Sequence, residues 1–323
     1  MKLRSLVLAS FVCLSPAVSE AQNWPGTKPL KLESGSAPGG ITDLVARELS
    51  NYLATSLGVP VVVEDRPGGG GNIAAAVVAR AQPDGHTLLV TGSNQVVNPT
   101  LLPAPGLDYD RDFVPVSMVA VTKLLLVAAP AFPATSITDV ISIAKQQPKS
   151  VSIGFSVIGT PSHLAAEMLA QSGDVDLTFV PYDGGAQAIP DVIANRVNLE
   201  ISATSTLLPQ VRGGALKALA VLAPQRSPFA PGIPTAVESG LPELQIDSWI
   251  CIMGTGGTPA PIIARLDAAI TDALAAPELR DGFAKQGVEI LRMDSQQLGK
   301  FLQSEASRFN GLLEHSRVVG AAR

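Results

Sequence analysis

Short β-rich runs alternate with longer amphipathic ones along this chain, and that alternation restricts it to parallel sheets covered by helices. The runs at Leu30 to Glu33, Val59 to Glu64, Thr87 to Thr91 and Leu124 to Ala128 each predict a strand. So do Val151 to Phe155, Leu177 to Val180, Leu199 to Ser202 and Leu216 to Leu222. Between them, Thr42 to Ser56 carries Leu44, Val45, Leu49 and Leu53 at near-helical spacing and stops before Gly58. Ser162 to Gln171 carries Leu164, Ala165, Met168 and Leu169 and stops before Gly173. Helices are also expected at Pro261 to Ala275 and at Ser295 to Leu313.

Two stretches read as crossings between lobes. Phe113 to Ala129 is nearly continuous apolar sequence, long enough for two strands or for one that passes from lobe to lobe. Leu244 to Met253 has the same character after the approach Pro231-Gly232-Ile233-Pro234. Two crossings build the first lobe from both ends of the chain, residues 22–122 and 246–323, and the second from residues 123–245.

The start of the chain decides its compartment. Lys2 and Arg4 precede an apolar run from Leu6 to Leu14, and Ser19-Glu20-Ala21 forms a small-x-small exit, so residues 1–21 read as a cleaved secretory signal peptide. That run is too short to anchor the chain, no later segment has eighteen uninterrupted apolar residues, and no stable membrane insertion is expected. Cleavage takes the net charge from −5 to −6 by removing Lys2, Arg4 and Glu20. With no basic block, nucleic acid is not an expected partner. Cys13 lies within the signal, which leaves Cys251 alone and rules out an intramolecular disulfide; Trp249-Ile250-Cys251-Ile252-Met253 predicts a buried thiol.

One turn occurs twice. Pro38-Gly39-Gly40-Ile41-Thr42-Asp43-Leu44 follows one predicted strand, and Ile158-Gly159-Thr160-Pro161-Ser162-His163-Leu164 follows another. Glycine allows the tight backbone approach, and Thr42 and Thr160 are the expected helix caps. A helix start offers unpaired N–H groups and about half a positive charge, which suits an anion. Asp43 would repel an anion if it faced the cleft, so it reads as a brace for the loop, and His163 as a first-turn packing or hydrogen-bonding residue.

Other motifs fail on context. Gly68-Gly69-Gly70-Gly71-Asn72-Ile73-Ala74 meets Gly-x-Gly-x-x-Ala from Gly69, but the next strand ends Thr91-Gly92-Ser93 without the acidic residue a dinucleotide site wants, and no Lys follows for a phosphate loop. Gly154-Phe155-Ser156-Val157-Ile158-Gly159 approaches a nucleophile elbow, but its second glycine comes one residue late. Ser162 and His163 are adjacent on a helix, so their side chains diverge, and His86 and His315 lie elsewhere. Three scattered histidines and one thiol give no metal-ligand spacing, so neither a metal, a cofactor nor a catalytic residue is expected.

Taken in order, several motifs resemble the extracytoplasmic solute receptors of tripartite tricarboxylate transporters, the Bug-type receptors. They are Pro38 to Asp43, Val63-Glu64-Asp65-Arg66-Pro67-Gly68, Pro83-Asp84-Gly85-His86-Thr87-Leu88 and Asp112-Phe113-x-Pro115, then Val180-Pro181-Tyr182-Asp183-Gly184-Gly185 and Ile233-Pro234-Thr235-x-x-Glu238-Ser239-Gly240. The resemblance covers essentially the whole mature chain. It implies an α/β fold like that of periplasmic binding proteins: two α/β lobes joined by two crossing strands, closing on a ligand in the cleft between them. It also implies a monomeric periplasmic receptor, not an enzyme, that takes a small carboxylate (a di- or tricarboxylate, an acidic amino acid or an aromatic acid) to a membrane permease. The alternatives are a ligand-binding subunit of a signalling system and a serine esterase using Ser156 or Ser162. The expected ligand residues are Ser36, Gly39, Gly40, Thr42 and Asp43 in the first turn, and Ser156, Gly159, Thr160, Ser162 and His163 in the second. Thr91, Ser93 and Asn94 would line the first lobe's side of the cleft, and Tyr182 and Asp183 the second's. The family usually carries an aromatic residue where this chain has Ser36, and Gly-x-Gly where it has Val157-Ile158-Gly159, so its pocket is expected to be reshaped.

Overall fold

The structure, a computed structural model, describes residues 24–314, with side chains through residue 311. The signal peptide, Cys13 and His315 lie outside the described residues. In chain order the elements are β1 (Leu30–Ser34), α1 (Ile41–Leu57), β2 (Val61–Asp65), a 3-10 turn (Gly69–Gly71), α2 (Asn72–Ala79), β3 (Thr87–Thr91) and α3 (Asn94–Leu101). The middle holds β4 (Phe113–Ala128), α4 (Ile137–Gln146), β5 (Ser152–Phe155), α5 (Pro161–Gly173), β6 (Thr178–Pro181), α6 (Gly185–Ile193), β7 (Leu199–Ala203), α7 (Thr204–Arg212) and β8 (Lys217–Val221). The chain continues through β9 (Asp247–Thr255), α8 (Ala260–Ala275), α9 (Pro277–Lys285), β10 (Glu289–Met293) and α10 (Ser295–Glu314).

The strands run in the order β2-β1-β3-β9-β4-β7-β5-β6, with β8 and β10 also pairing with β4. The expected parallel pairing holds on the flanks: β1 is parallel to β2 and β3, and β5 to β6 and β7. The centre is antiparallel, because β9 brings the chain back and must run against β4. Phe113 to Ala128 forms one strand that serves both lobes. Its Phe113 to Lys123 part pairs with β9, and its Leu124 to Ala128 part pairs with β7 and β8. At the change of partners Lys123 Nζ lies 3.0 and 2.9 Å from the two Asp247 carboxylate oxygens. The return crossing is irregular until Ile246, whose N–H donates to Leu222 O at 3.1 Å, and it straightens only at β9. Pro224, Pro228, Pro231, Pro234 and Pro242 have no N–H to give a ladder there.

One apolar core lies on the face of the first lobe's sheet covered by α1, α8 and α9 and contains Leu30, Leu49, Val90, Ile252, Leu266 and Phe283. The other runs from Val97 and Met118 through Val121 and Leu124 into the second lobe at Phe155, Leu164 and Ile201. Both lobes therefore press apolar side chains against the single strand they share. Cys251 is fully buried, and burial pushes its thiol pKa well above the ordinary value.

Candidate functional site

The two predicted turns adopt the same conformation. Gly39 has φ +81° and Gly159 φ +88°, a region that favours glycine, and each reverses the chain onto the start of a helix. The residues that precede the helices match as well: Gly40 at φ −71°, ψ 164° and Thr160 at φ −77°, ψ 161°. Gly39 N–H donates to Asp43 Oδ2 at 2.8 Å, and Gly159 N–H donates to His163 Nδ1 at 3.2 Å. A carboxylate in one lobe and an imidazole in the other thus perform one bracing task, four residues past the glycine. Asp43 is itself held by Arg47 Nε at 2.5 Å, and Arg47 Nη2 reaches Asp65 at 2.6 Å.

Each turn gathers three hydroxyls. In the first, Thr42 Oγ1 donates to Ser36 Oγ at 2.7 Å, and Ser34 Oγ lies 3.2 Å from Ser36 Oγ and 3.1 Å from Thr42 Oγ1. In the second, Ser156 Oγ lies 2.7 Å from Ser162 Oγ and 3.0 Å from Thr160 Oγ1, and the latter two are 3.0 Å apart. The expected caps are not formed. Thr42 is the second residue of its helix rather than the cap, and the Thr160 hydroxyl donates to Val157 O at 2.7 Å. Asp43 N–H donates to Ser36 Oγ at 3.3 Å and Pro161 has no N–H, so the open donors of the two first turns are the amides of Ile41 and Thr42 in one and of Ser162 and His163 in the other.

The tetraglycine turn and α3 link the two turns. A methyl group at Gly35 would sit 2.9 Å from Gly71 Cα, so the first turn lies directly on the tetraglycine backbone. Asn94 Nδ2 and Asn98 Nδ2 donate to Gly70 O at 2.7 and 2.9 Å, and Asn98 Nδ2 also reaches Asn72 Oδ1 at 2.8 Å. From the other lobe, a Cβ at Gly159 would meet Val97 at 3.4 Å, Leu101 at 3.7 Å and Asn98 Oδ1 at 3.8 Å. Gly159 is thus buried against α3, while Ser36, Gly40, Thr42, Ser156 and Thr160 keep partial exposure and Gly39 is exposed. Asn72, Asn98 and the close approach of Gly35 to Gly71 were missed from sequence. The four consecutive glycines were the available signal.

The remaining expected residues are divided. Thr91 and Ser93 are buried at the end of β3, and Asn94 is spent on Gly70. Asp183 is exposed, but the Tyr182 hydroxyl donates to Asp191 Oδ2 at 2.7 Å, with its pKa pushed up to about 12 by burial and by that carboxylate. Beneath this β6–α6 turn lies Glu200, fully buried, with neither carboxyl oxygen partnered and a pKa raised to about 8 by burial. A Cβ at Gly185 would lie 1.9 Å from Ser202 Oγ and 3.7 Å from Glu200 Oε1.

The second turn is poorly arranged for nucleophilic chemistry. His163 is fully buried and its pKa is lowered to about 4 by burial. Its Nδ1 takes the Gly159 N–H and its Nε2 lies 3.8 Å from Glu167, so neither nitrogen serves Ser156 or Ser162. Neither turn contains a lysine or arginine. A separate groove of about 630 Å³, between Met168 of α5, Trp249 of β9 and Phe301 and Arg308 of α10, shares no lining residue with either turn. No helix among the described residues is long and apolar enough to cross a membrane.

Comparison with known proteins matches residues 45–317 to the model of the tripartite tricarboxylate transporter family receptor. Protein BugT of Bordetella pertussis is 33% identical over 298 residues, covering 92% of this chain and 91% of its own. Among solved structures, R. palustris Rpa4515 with adipate superposes with a TM-score of 0.85 at 29% identity, over 92% of this chain and 98% of that one. MatC from Rhodopseudomonas palustris with bound malate gives 0.82 at 31% identity, over 90% and 99%.

Proposed function

This chain belongs to the tripartite tricarboxylate transporter receptor family, a family of periplasmic solute-binding receptors rather than enzymes, and from that premise we propose that it captures a small carboxylate between its lobes and delivers it to a membrane permease. The observation that carries the reading is the repeated turn: one helix start and one hydroxyl triangle per lobe, the first resting on the tetraglycine turn and the second on α3. One helix start gains about 0.3–1 kcal/mol from an anion, or about 2 kcal/mol when partly buried. Micromolar capture needs about 8 kcal/mol. Two starts acting on one ligand, with hydroxyl donors and water excluded by closure, supply the remainder without a positively charged side chain. Adipate and malate, bound by the two structural relatives, are both dicarboxylates, which supports an acid with an anionic group at each end.

In this reading Ser36, Gly39, Gly40 and Thr42 form the first lobe's half of the site and Ser156, Gly159, Thr160 and Ser162 the second's, while Asp43 and His163 hold the two glycine amides in place. Among the described residues the lobe boundaries fall between residues 122 and 123 and between residues 245 and 246, hinged where β4 changes partners. Calorimetry of the purified protein against a panel of small mono-, di- and tricarboxylates tests the proposal. At least one acid should bind at micromolar concentration, and binding by none of them would end it.

A further inference from the structure

Resting on the carboxylate reading above, we propose that the site selects acids that also carry a hydrogen-bond donor, a hydroxyl or an ammonium, and that Asn98 accepts from that donor. Asn98 is fully buried at the junction of the two turns. Its Nδ2 is committed to Gly70 O and Asn72 Oδ1, and its Oδ1 has no hydrogen-bond partner. That oxygen lies 3.3 Å from where a Cβ would stand on Gly70 and 3.8 Å from where one would stand on Gly159, so it occupies the gap between the tetraglycine turn and the second lobe. Reversing the amide would set the oxygen against the Gly70 carbonyl, which fixes its orientation.

A buried acceptor left unpaired is costly, and an ionised carboxylate offers acceptors only. A plain acid held by the two helix starts therefore leaves Oδ1 unsatisfied, whereas a hydroxyl or ammonium on the same ligand satisfies it. Two more buried oxygens without partners lie on this segment, Ser93 Oγ and Gln95 Oε1. Gln95 and Asn98 are three residues apart on α3 and so share a face. Donors thus surround the anion, while α3 holds two amide oxygens, those of Gln95 and Asn98, that can only accept. An ordered water is the competing occupant, and it would make the site indifferent to a ligand donor.

Calorimetric titration of the purified protein with two matched sets decides this: succinate, malate and aspartate, then phenylacetate, mandelate and phenylglycine. The hydroxy or amino member of at least one set is expected to bind about tenfold or more tightly than its plain parent, and the stronger of the two identifies the donor. Plain acids that bind within about threefold of both substituted partners would overturn the inference and leave the receptor reading standing. If no acid in either set binds, the inference falls, and the receptor reading stands or falls on the wider carboxylate panel. In folded Asn98→Leu the plain and substituted acids should bind alike, whatever the change in overall affinity, and a preference that survives there would overturn the assignment to Asn98. Should that variant fail to fold, because Nδ2 also braces Gly70, the selectivity of the unaltered protein decides.

Discussion

Replacing Glu200 by Gln should reshape the pH dependence of stability. The carboxyl titrates near 4.5 when unfolded and near 8 when folded, because burial without a partner penalises the charge. The folded state therefore binds more protons than the unfolded one across that window, and stability falls as pH rises through it. The full shift of about 3.5 units corresponds to about 5 kcal/mol, of which about 3 kcal/mol develops between about pH 5 and pH 7.5. His163 acts with the opposite sign. Its folded pKa near 4 lies below the ordinary 6.5, so stability rises with pH over that lower interval. From about pH 4.5 to 6.5 these two contributions offset each other. In Glu200→Gln the His163 contribution is no longer offset, so the variant's stability should rise with pH more steeply than that of the unaltered protein between about pH 5 and neutrality. Urea unfolding of both proteins at several pH values measures the gap between them, which should widen in favour of Gln by about 3 kcal/mol from pH 5 to 7.5. A gap constant to within about 0.5 kcal/mol would refute the reasoning, since it would mean that the carboxyl has a partner or reaches solvent.

Gly159→Ala places a side chain at φ +88° against Val97 and should weaken ligand binding at least tenfold while costing about 1–2 kcal/mol in stability; equal damage to both in calorimetry and unfolding would count against the site. Gly185→Ala drives a methyl group into Ser202 Oγ and should destabilise by about 2–3 kcal/mol, with Ser202→Gly in the same chain restoring much of it; a double variant no better than the single would place the strain elsewhere. Asp43→Ala removes the acceptor of Gly39 N–H and the partner of Arg47, so affinity should fall about tenfold, and Asp43→Asn should recover part of it by again accepting from Gly39; identical titrations for the two variants would leave the brace without a role.

Where function was legible, it lay in short local patterns. The predicted helix Thr42 to Ser56 is found as α1, Ile41–Leu57, and the predicted strand Thr87 to Thr91 is reproduced residue for residue, because apolar spacing and terminal glycines act through near neighbours. Caps proved less legible. Thr42 was expected at a helix start and stands one turn position inside it, since the Ser36 hydroxyl, not the helix end, claims it. Glu200 and Ser202 alternate with Leu199 and Ile201, a pattern that on its own reads as a solvent face. In the fold, α6 covers that face, and the carboxyl is buried.

From the amino-acid order alone came the alternation of strands and helices, the two glycine turns, and the ordered motifs that mark the family. Only the tertiary structure decided that the tetraglycine run lies against Gly35, that Tyr182 is spent on Asp191, and that Asn98 lies between the two turns. The division follows from the range of the forces involved. Backbone preference and periodicity are fixed within a few residues, whereas the contact of Gly159 with α3 joins segments some sixty positions apart, and strand register and the packing of two lobes on β4 bring it about.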